Sequence, residues 1–167
     1  FVTGPAEAPR PVGAKIVEVQ TARQMADAVA NALPADVAIF CAAVADWRVA
    51  NAADLKMKKD GSGTLPTLEF VENPDILATV AQGPQRPGLV IGFAAETHDV
   101  IAHATAKRTR KGCDWIIAND VSPETGIMGG AENAAILVTE SGAEEWPRMT
   151  KIETARKIAA RIAEALQ

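Results

Sequence analysis

The sequence predicts an α/β protein built on a sheet with helices on both faces. Three observations carry the prediction. Val37–Ala45, Leu89–Ala94 and Trp115–Asn119 are apolar runs of strand length with little alternation, as strands buried on both faces are. Helix-like stretches, 21–33, 73–82 and 98–111, precede the three runs in turn. The resulting β-α-β order implies right-handed crossovers and parallel pairing. Together these give a Rossmann-like, doubly wound, three-layer sheet. A Gly-, Lys-, Ser- and Pro-rich interval over about 47–72 differs in texture and reads as an antiparallel ribbon excursion from the sheet.

In chain order, Phe1-Val2-Thr3-Gly4-Pro5 reads as the tail of a strand running into a Pro-rich loop, so the domain is expected to begin further upstream. Lys15–Val19 alternates as a short strand. Thr21 is an N-cap and Gln24, three residues on, completes a capping box. The helix that follows runs to about Leu33, with Met25, Ala28, Val29 and Leu33 on one face, and Pro34 ends it. Val37–Ala43 is the expected central strand. Leu55–Lys59 and Thr67–Val71 are expected to pair as the ribbon, which is marginal alone and calls for a partner surface. Asn73 as N-cap, Pro74 at the first helical position and Asp75 in the first turn open a helix reaching about Gln82. Leu89–Ala94 is a buried strand. Glu96 and Thr97 lead into a helix over about 98–111 that stops at Gly112. Trp115–Asn119 and Ala134–Thr139 are strands, separated by a Gly-rich loop over 120–133. Lys151–Leu166 is an amphipathic helix with Ile152, Ala155, Ile158, Ile162 and Leu166 inward. All of this is expected as one domain over 1–167.

Composition narrows the function classes. The 167 residues suit one domain with a sizeable core, and 48% hydrophobic with 23% charged residues is ordinary for a globular protein. A net charge of −4 and a pI near 5.2 provide no global field for nucleic acid or an anionic membrane. No run approaches the roughly 20 apolar residues of a membrane span. Cys41 and Cys113 are too few for a disulfide framework, and Cys41 in its apolar run reads as a reduced core residue. A cytoplasmic protein is the expectation. His98 and His103 lack a Cys or carboxylate at familiar metal-ligand spacing and read as surface helix residues, so no metal ligands are assigned. The three tryptophans, Trp47, Trp115 and Trp146, read as packing residues.

The candidate site gathers where apolar runs end. Phe40-Cys41-Ala42-Ala43-Val44-Ala45-Asp46 closes in small residues and a carboxylate; Phe93–Thr97 and Asn119-Asp120 close two further strands. Open α/β sheets bind ligands at such carboxyl ends, where small side chains let backbone groups reach a flat base. Lys56, Lys58 and Lys59 beside glycines suit an anion, as do Lys107 and Lys111, four apart on one helix face. Spacing alone equally allows a plain strand end with solvated turn lysines, a capped helix at 73–77, a core Phe93 and a basic helix end favoured by the macrodipole. No G-x-G-x-x-G fingerprint follows a strand, which counts against a conventional dinucleotide oxidoreductase.

The blocks Ala42–Arg48, Lys56–Lys59, Asn73–Ile76, Gly92–Thr97, Lys107–Lys111 and Ala118–Val121, in this order, closely resemble the phosphopantothenate–cysteine ligase family, also called phosphopantothenoylcysteine synthetase, over nearly the whole chain. This is the synthetase domain of the bacterial bifunctional coenzyme A biosynthesis protein. The resemblance implies a multifunctional enzyme's ligase part, which joins 4′-phosphopantothenate to L-cysteine. CTP with Mg²⁺ activates the carboxylate as an acyl-cytidylate, and the cysteine amine then displaces CMP. It implies that Lys56 contacts the nucleotide and is needed for activity. It further implies nucleotide contacts by Phe40, Cys41, Ala42, Asp46, Pro74, Asp75, Ile76, Leu77, Phe93, Lys107 and Lys111. A helix N-terminus at 74–77 suits a phosphate. A homodimer through the 55–71 ribbon is also implied.

The family's first β-turn-α segment, with its Gly-rich phosphate turn and its intermediate-stabilising Asn, has no counterpart here, nor does the FMN-dependent decarboxylase domain that usually precedes it. The chain is therefore expected to be N-terminally truncated, to fold in part and to be impaired alone in ligation. Beside the enzyme stands a second class, a non-catalytic Rossmann-like nucleotide-binding module.

Overall fold

The computed structural model describes residues 1–6, 8–52, 58, 67–127 and 129–167. In chain order the elements are β1 (Val2–Thr3), β2 (Val17–Glu18), α1 (Ala22–Ala30), β3 (Val37–Phe40), β4 (Trp47–Val49), β5 (Phe70–Glu72), α2 (Ile76–Ala81), β6 (Leu89–Glu96), α3 (Val100–Lys111), β7 (Trp115–Asp120), β8 (Glu132–Asn133), β9 (Ala135–Thr139), β10 (Gly142–Glu145), β11 (Met149–Thr150) and α4 (Lys151–Ala165). A 3-10 turn occupies Pro123–Thr125. The elements fall into two compact units: residues 33–41 with 77–167, and residues 1–32 with 42–76.

The larger unit holds a five-stranded sheet in the order β10-β9-β7-β6-β3. β3, β6 and β7 are parallel, while β9 runs antiparallel to β7 and forms a hairpin with β10. Each strand alternates between two faces. Val90, Ala94, Ile116, Ala118 and Val138 face one way and pack with Leu77, Ala81, Val100 and Ala104 of α2 and α3. Leu89, Ile91, Ile117, Ala135 and Leu137 face the other way and pack with Trp146 and with Ile158 and Ile162 of α4. Helices thus cover both faces, as predicted for a three-layer sheet.

Several details differ from the sequence expectation. β3 is the edge of this sheet, pairing within it only with β6, and is not its central strand. The sheet is mixed because, among the described residues, no α-helix joins β7 to β9; a connection without a crossover helix lets the chain return antiparallel. On α4 the inward face is Thr154, Ile158 and Ile162, while Ile152 is 65% and Leu166 54% exposed. The buried Thr154 satisfies its hydroxyl by donating to the Thr150 carbonyl at 3.0 Å, which lets a polar residue take the apolar stripe. α3 begins at Val100 because β6 runs on to Glu96 and Asp99 is left-handed, with φ 44°. It stops, as expected, at Gly112, whose φ of 72° suits glycine.

In the smaller unit, β1 and β2 form a parallel pair, and α1 carries the predicted capping box: Gln24 N–H donates to Thr21 Oγ1 and Thr21 N–H donates to Gln24 Oε1. α1 ends at Ala30, short of Leu33. The ribbon is present as an antiparallel pair, but its strands are β4 and β5, registered Trp47 to Glu72 and Val49 to Phe70. Thr67–Glu69 precede the strand. Of the expected partner Leu55–Lys59, residues 55–57 and 59 lie outside the described residues, and Lys58 belongs to no element.

Candidate functional site at the strand ends

In the larger unit the carboxyl ends of β3, β6 and β7 lie along one sheet edge, with Phe40 opposite Gly92 and Glu96 opposite Asp120. Gly92 permits a close approach of α2. A Cβ there would lie 2.7 Å from Leu77 Cδ2 and 2.8 Å from Ile116 Cδ1. The glycine therefore sets how near the start of α2 comes to the strand ends, and Phe40 and Leu77 pack on the same core cluster. Lys107, on α3, donates from Nζ to the Phe93 carbonyl at 2.8 Å, a partly buried contact that fixes an ammonium beside the end of β6. The Phe93 ring itself packs on the core on the α4 side. Lys111 is one turn further along α3, about 6 Å by helical rise, on the same face as Lys107.

At the end of β7, Asn119 Oδ1 accepts from Asn133 Nδ2 at 2.8 Å, and Asp120 Oδ1 accepts from Ser122 N–H at 2.9 Å. The Ser122 hydroxyl and backbone hold the Asp120 carboxyl below its ordinary range, so it stays ionised at neutral pH. Cys41 is exposed, contrary to the core expectation, because β3 ends at Phe40 and leaves it beyond the last paired residue. Cys113 is the buried thiol, and burial pushes its pKa up.

In the smaller unit the second group of predicted residues is tied together by backbone. Asn73 N–H donates to the Asp46 carbonyl at 2.8 Å, and Asn73 Nδ2 donates to the Ala45 carbonyl at 2.8 Å. Arg48 Nη1 donates to the Glu72 carbonyl and reaches Asn73 Oδ1 at 3.3 Å. Asp46 and the Pro74–Ile76 segment are thereby held as neighbours. Asn73 spends its side chain on this bridge and is not a helix cap, so α2 starts at Ile76. Asp46 and Ala42 are exposed, as is Trp47, at 57%, which is not a packing residue. Lys56, the predicted catalytic lysine, and Lys59 lie outside the described residues.

The structure thus groups Phe40, Leu77, Phe93 and Lys107 in one unit and Asp46 with Pro74, Asp75 and Ile76 in the other. Sequence reasoning assigned no role to Arg48 or Gly92, and it read the Asn73 side chain as a helix cap rather than as a bridge to the Ala45 carbonyl. The only available signals were an arginine after Asp46-Trp47 and a lone glycine inside an apolar run, which often marks a close approach. Nor did it join His98 and His103. His98 precedes α3, His103 lies in its first turns, and Glu96 Oε2 is 3.5 Å from His103 Nδ1, so a carboxylate partner exists after all.

A sheet with three parallel strand ends at one edge and helices on both faces defines a Rossmann-like α/β domain. The chain belongs to the family of the C-terminal domain of DNA/pantothenate metabolism flavoproteins, which it matches over residues 1–166. It is 43% identical over 149 residues to the coenzyme A biosynthesis bifunctional protein CoaBC of Escherichia coli (strain K12), covering 88% of this chain and 37% of that protein. It is 38% identical over 159 residues to the protein of the same name from Vibrio vulnificus (strain YJ016), covering 95% of this chain and 40% of that one. The chain therefore spans about two-fifths of the length of these relatives. Among solved structures, the C-terminal domain of a coenzyme A biosynthesis bifunctional protein CoaBC superposes with a TM-score of 0.76 at 32% identity, over 99% of this chain and 72% of that one. The DNA/pantothenate metabolism flavoprotein from Streptococcus pneumoniae, at 19% identity and a TM-score of 0.76, shares the fold.

Proposed function

We propose that this chain carries phosphopantothenate–cysteine ligase activity in coenzyme A biosynthesis, using CTP. The observation that carries the reading is the edge of parallel strand ends with Lys107 fixed at Phe93, in a chain whose relatives are coenzyme A biosynthesis bifunctional proteins. The substrate carboxylate oxygen attacks the α-phosphorus of CTP, forming the acyl-cytidylate and expelling pyrophosphate. The cysteine amine then attacks the acyl carbon, loses a proton and expels CMP, leaving an amide. Negative charge builds on phosphoryl oxygens in the first step, so fixed cations lower its barrier.

Lys107 and Lys111 bind phosphate oxygens, and Lys56 is the lysine whose charge the first step needs most. In the larger unit Phe40, Cys41, Leu77 and Phe93 are the further nucleotide contacts, and in the smaller unit Ala42, Asp46 and Pro74–Ile76 are. With CTP bound, Mg²⁺ would supply neutralisation of the phosphate charge, and oxygen donors of the chain would hold it. The ionised Asp120 carboxylate, at a strand end, is a donor of the right chemistry to hold it.

A role among coenzyme A biosynthesis relatives supports a cytoplasmic location. No helix among the described residues is long and apolar enough to cross a membrane. It works as a homodimer through the ribbon. Support comes from Trp47, Leu68 and Phe70, 57%, 46% and 60% exposed on and beside β4 and β5, which form an apolar patch a partner would cover.

Thermal shift of the full-length protein tests the nucleotide reading. Ligand at a hundred times its Kd stabilises by about 2.7 kcal/mol, so CTP with Mg²⁺ raises the melting temperature clearly, ATP less and NADH not at all. Equal shifts with all three, or none, point to a binding module without this specificity.

A further inference from the structure

We propose that the β6–α3 connection is a binding site for a zinc-like divalent transition-metal ion, formed by His98, Asp99 and His103. One ligand atom from each of these residues lies within 4.8 Å of the others. The two imidazoles meet edge to face, with centroids 4.8 Å apart and planes at 84°. Asp99 and His103 are four apart at the start of α3, with His103 N–H donating to the Asp99 carbonyl at 3.0 Å, so they share one face. His98 joins them from the strand side of the connection.

Three features suit these side chains to a metal rather than to a plain surface cluster. Asp99 stands at the N-cap position, yet its carboxylate makes no capping bond. It is also the one non-glycine residue with positive φ among the described residues, at 44°, a conformation that costs energy and tends to persist where something else requires it. Each histidine, finally, has a partner at Nδ1. Glu96 Oε2 is 3.5 Å from His103 Nδ1, and Thr97 Oγ1 is 3.2 Å from His98 Nδ1. In the tautomer that carries its proton on Nδ1, each ring is oriented by its oxygen neighbour and offers the Nε2 lone pair, the outer-shell arrangement that metal-bound imidazoles use.

Two imidazoles and a carboxylate select the ion. Borderline metals such as Zn²⁺, Co²⁺ and Ni²⁺ take this set, whereas Mg²⁺ and Ca²⁺ prefer oxygen alone. Bonds of about 2.0–2.1 Å require the donors to draw somewhat closer than they stand. His98 and Asp99 are exposed and His103 is half-exposed, so rotamer changes suffice. Three protein donors leave a fourth position for water. The inference does not depend on the ligase reading, since its ligands bind no nucleotide in that scheme.

The test uses tag-free full-length protein, stripped with chelator and titrated calorimetrically with ZnCl₂ and with CoCl₂ in millimolar Mg²⁺. The expected result is a site of about one ion per chain that His103→Ala and His98→Ala each weaken by more than tenfold, with the visible Co²⁺ bands of a nitrogen-containing site lost in both. Circular dichroism confirms that the variants fold, and His98→Asn offers a milder second substitution with the same expected loss. Zn²⁺ affinity unchanged when His98→Ala and His103→Ala are combined, absence of binding at 100 μM metal, or full competition by Mg²⁺ would each overturn the proposal. CTP thermal shifts measured on the same samples report separately on the ligase reading.

Discussion

Replacing Gly92 with alanine tests the packing that brings α2 to the sheet edge. The added methyl would stand 2.7 Å from Leu77 Cδ2 and 2.8 Å from Ile116 Cδ1, against about 3.5–4.0 Å for carbon atoms in comfortable contact. One or both side chains must retreat by roughly 1 Å. Ile116 is fully buried and has nowhere to go, so Leu77 moves and takes α2 or its own rotamer with it. Overpacking of this kind costs about 1–3 kcal/mol. The loss of glycine's unfolded-state freedom offsets about 0.4–1 kcal/mol. The net expectation is a loss of about 1–2 kcal/mol, which lowers the melting temperature by roughly 2–8 °C for a chain of this size. Thermal unfolding followed by far-UV circular dichroism reads it directly. An unchanged or raised melting temperature would refute the close approach of Leu77 to β6, and with it the account of what positions the start of α2.

Other substitutions address separate claims. Lys56→Ala is expected to abolish ligation in the full-length enzyme while moving stability by no more than about 0.5 kcal/mol, the usual range for a surface change; turnover at the wild-type rate would remove Lys56 from the mechanism. Light scattering at micromolar concentration should report the proposed dimer for the unaltered protein and a monomer for Trp47→Asp with Phe70→Asp; a monomer in the first case, or a dimer in the second, would contradict the ribbon interface. The α4 capping box predicts an acid dependence. Thr150 donates to Glu153 and holds its pKa below the ordinary 4.5, so the box stabilises above that value and loses its contribution as pH falls through the lower folded-state value. Glu153→Gln should flatten the decline of melting temperature between about pH 5 and pH 3; an identical decline in both proteins would contradict the assignment.

Much of the scaffold was legible because local chemistry and burial agreed. β6 and β7 are buried on both faces and read as unbroken apolar runs, Thr21 and Gln24 form the capping box their spacing announces, and Gly112 ends α3 in a left-handed conformation. What escaped has physical causes. β10, Gly142–Glu145, is exposed throughout and has no apolar pattern to betray it. Asn73 looks like a cap in sequence, but its side-chain amide donates to the Ala45 carbonyl across the ribbon and Arg48 takes its oxygen. The α4 stripe shifted because Thr154 is buried with its hydroxyl satisfied, a solution that hydropathy does not register. The strand-end clustering of Phe93, Asn119 and Asp120 was foreseeable from topology. The anchoring of Lys107 on a backbone carbonyl was not, because it depends on where one flexible side chain folds back. The histidine pair spans the end of a strand and the first turns of a helix, so no single periodicity joins it.

The central claim is the chemistry, and its products test it most directly. Full-length protein is incubated with 4′-phosphopantothenate, L-cysteine, CTP and Mg²⁺, and the products are separated and counted. The account predicts one CMP and one pyrophosphate for each 4′-phosphopantothenoylcysteine, with pyrophosphate released in the absence of cysteine only up to about one per active site. CDP and inorganic phosphate in place of CMP and pyrophosphate, or no amide product from a folded protein that binds CTP, would contradict it.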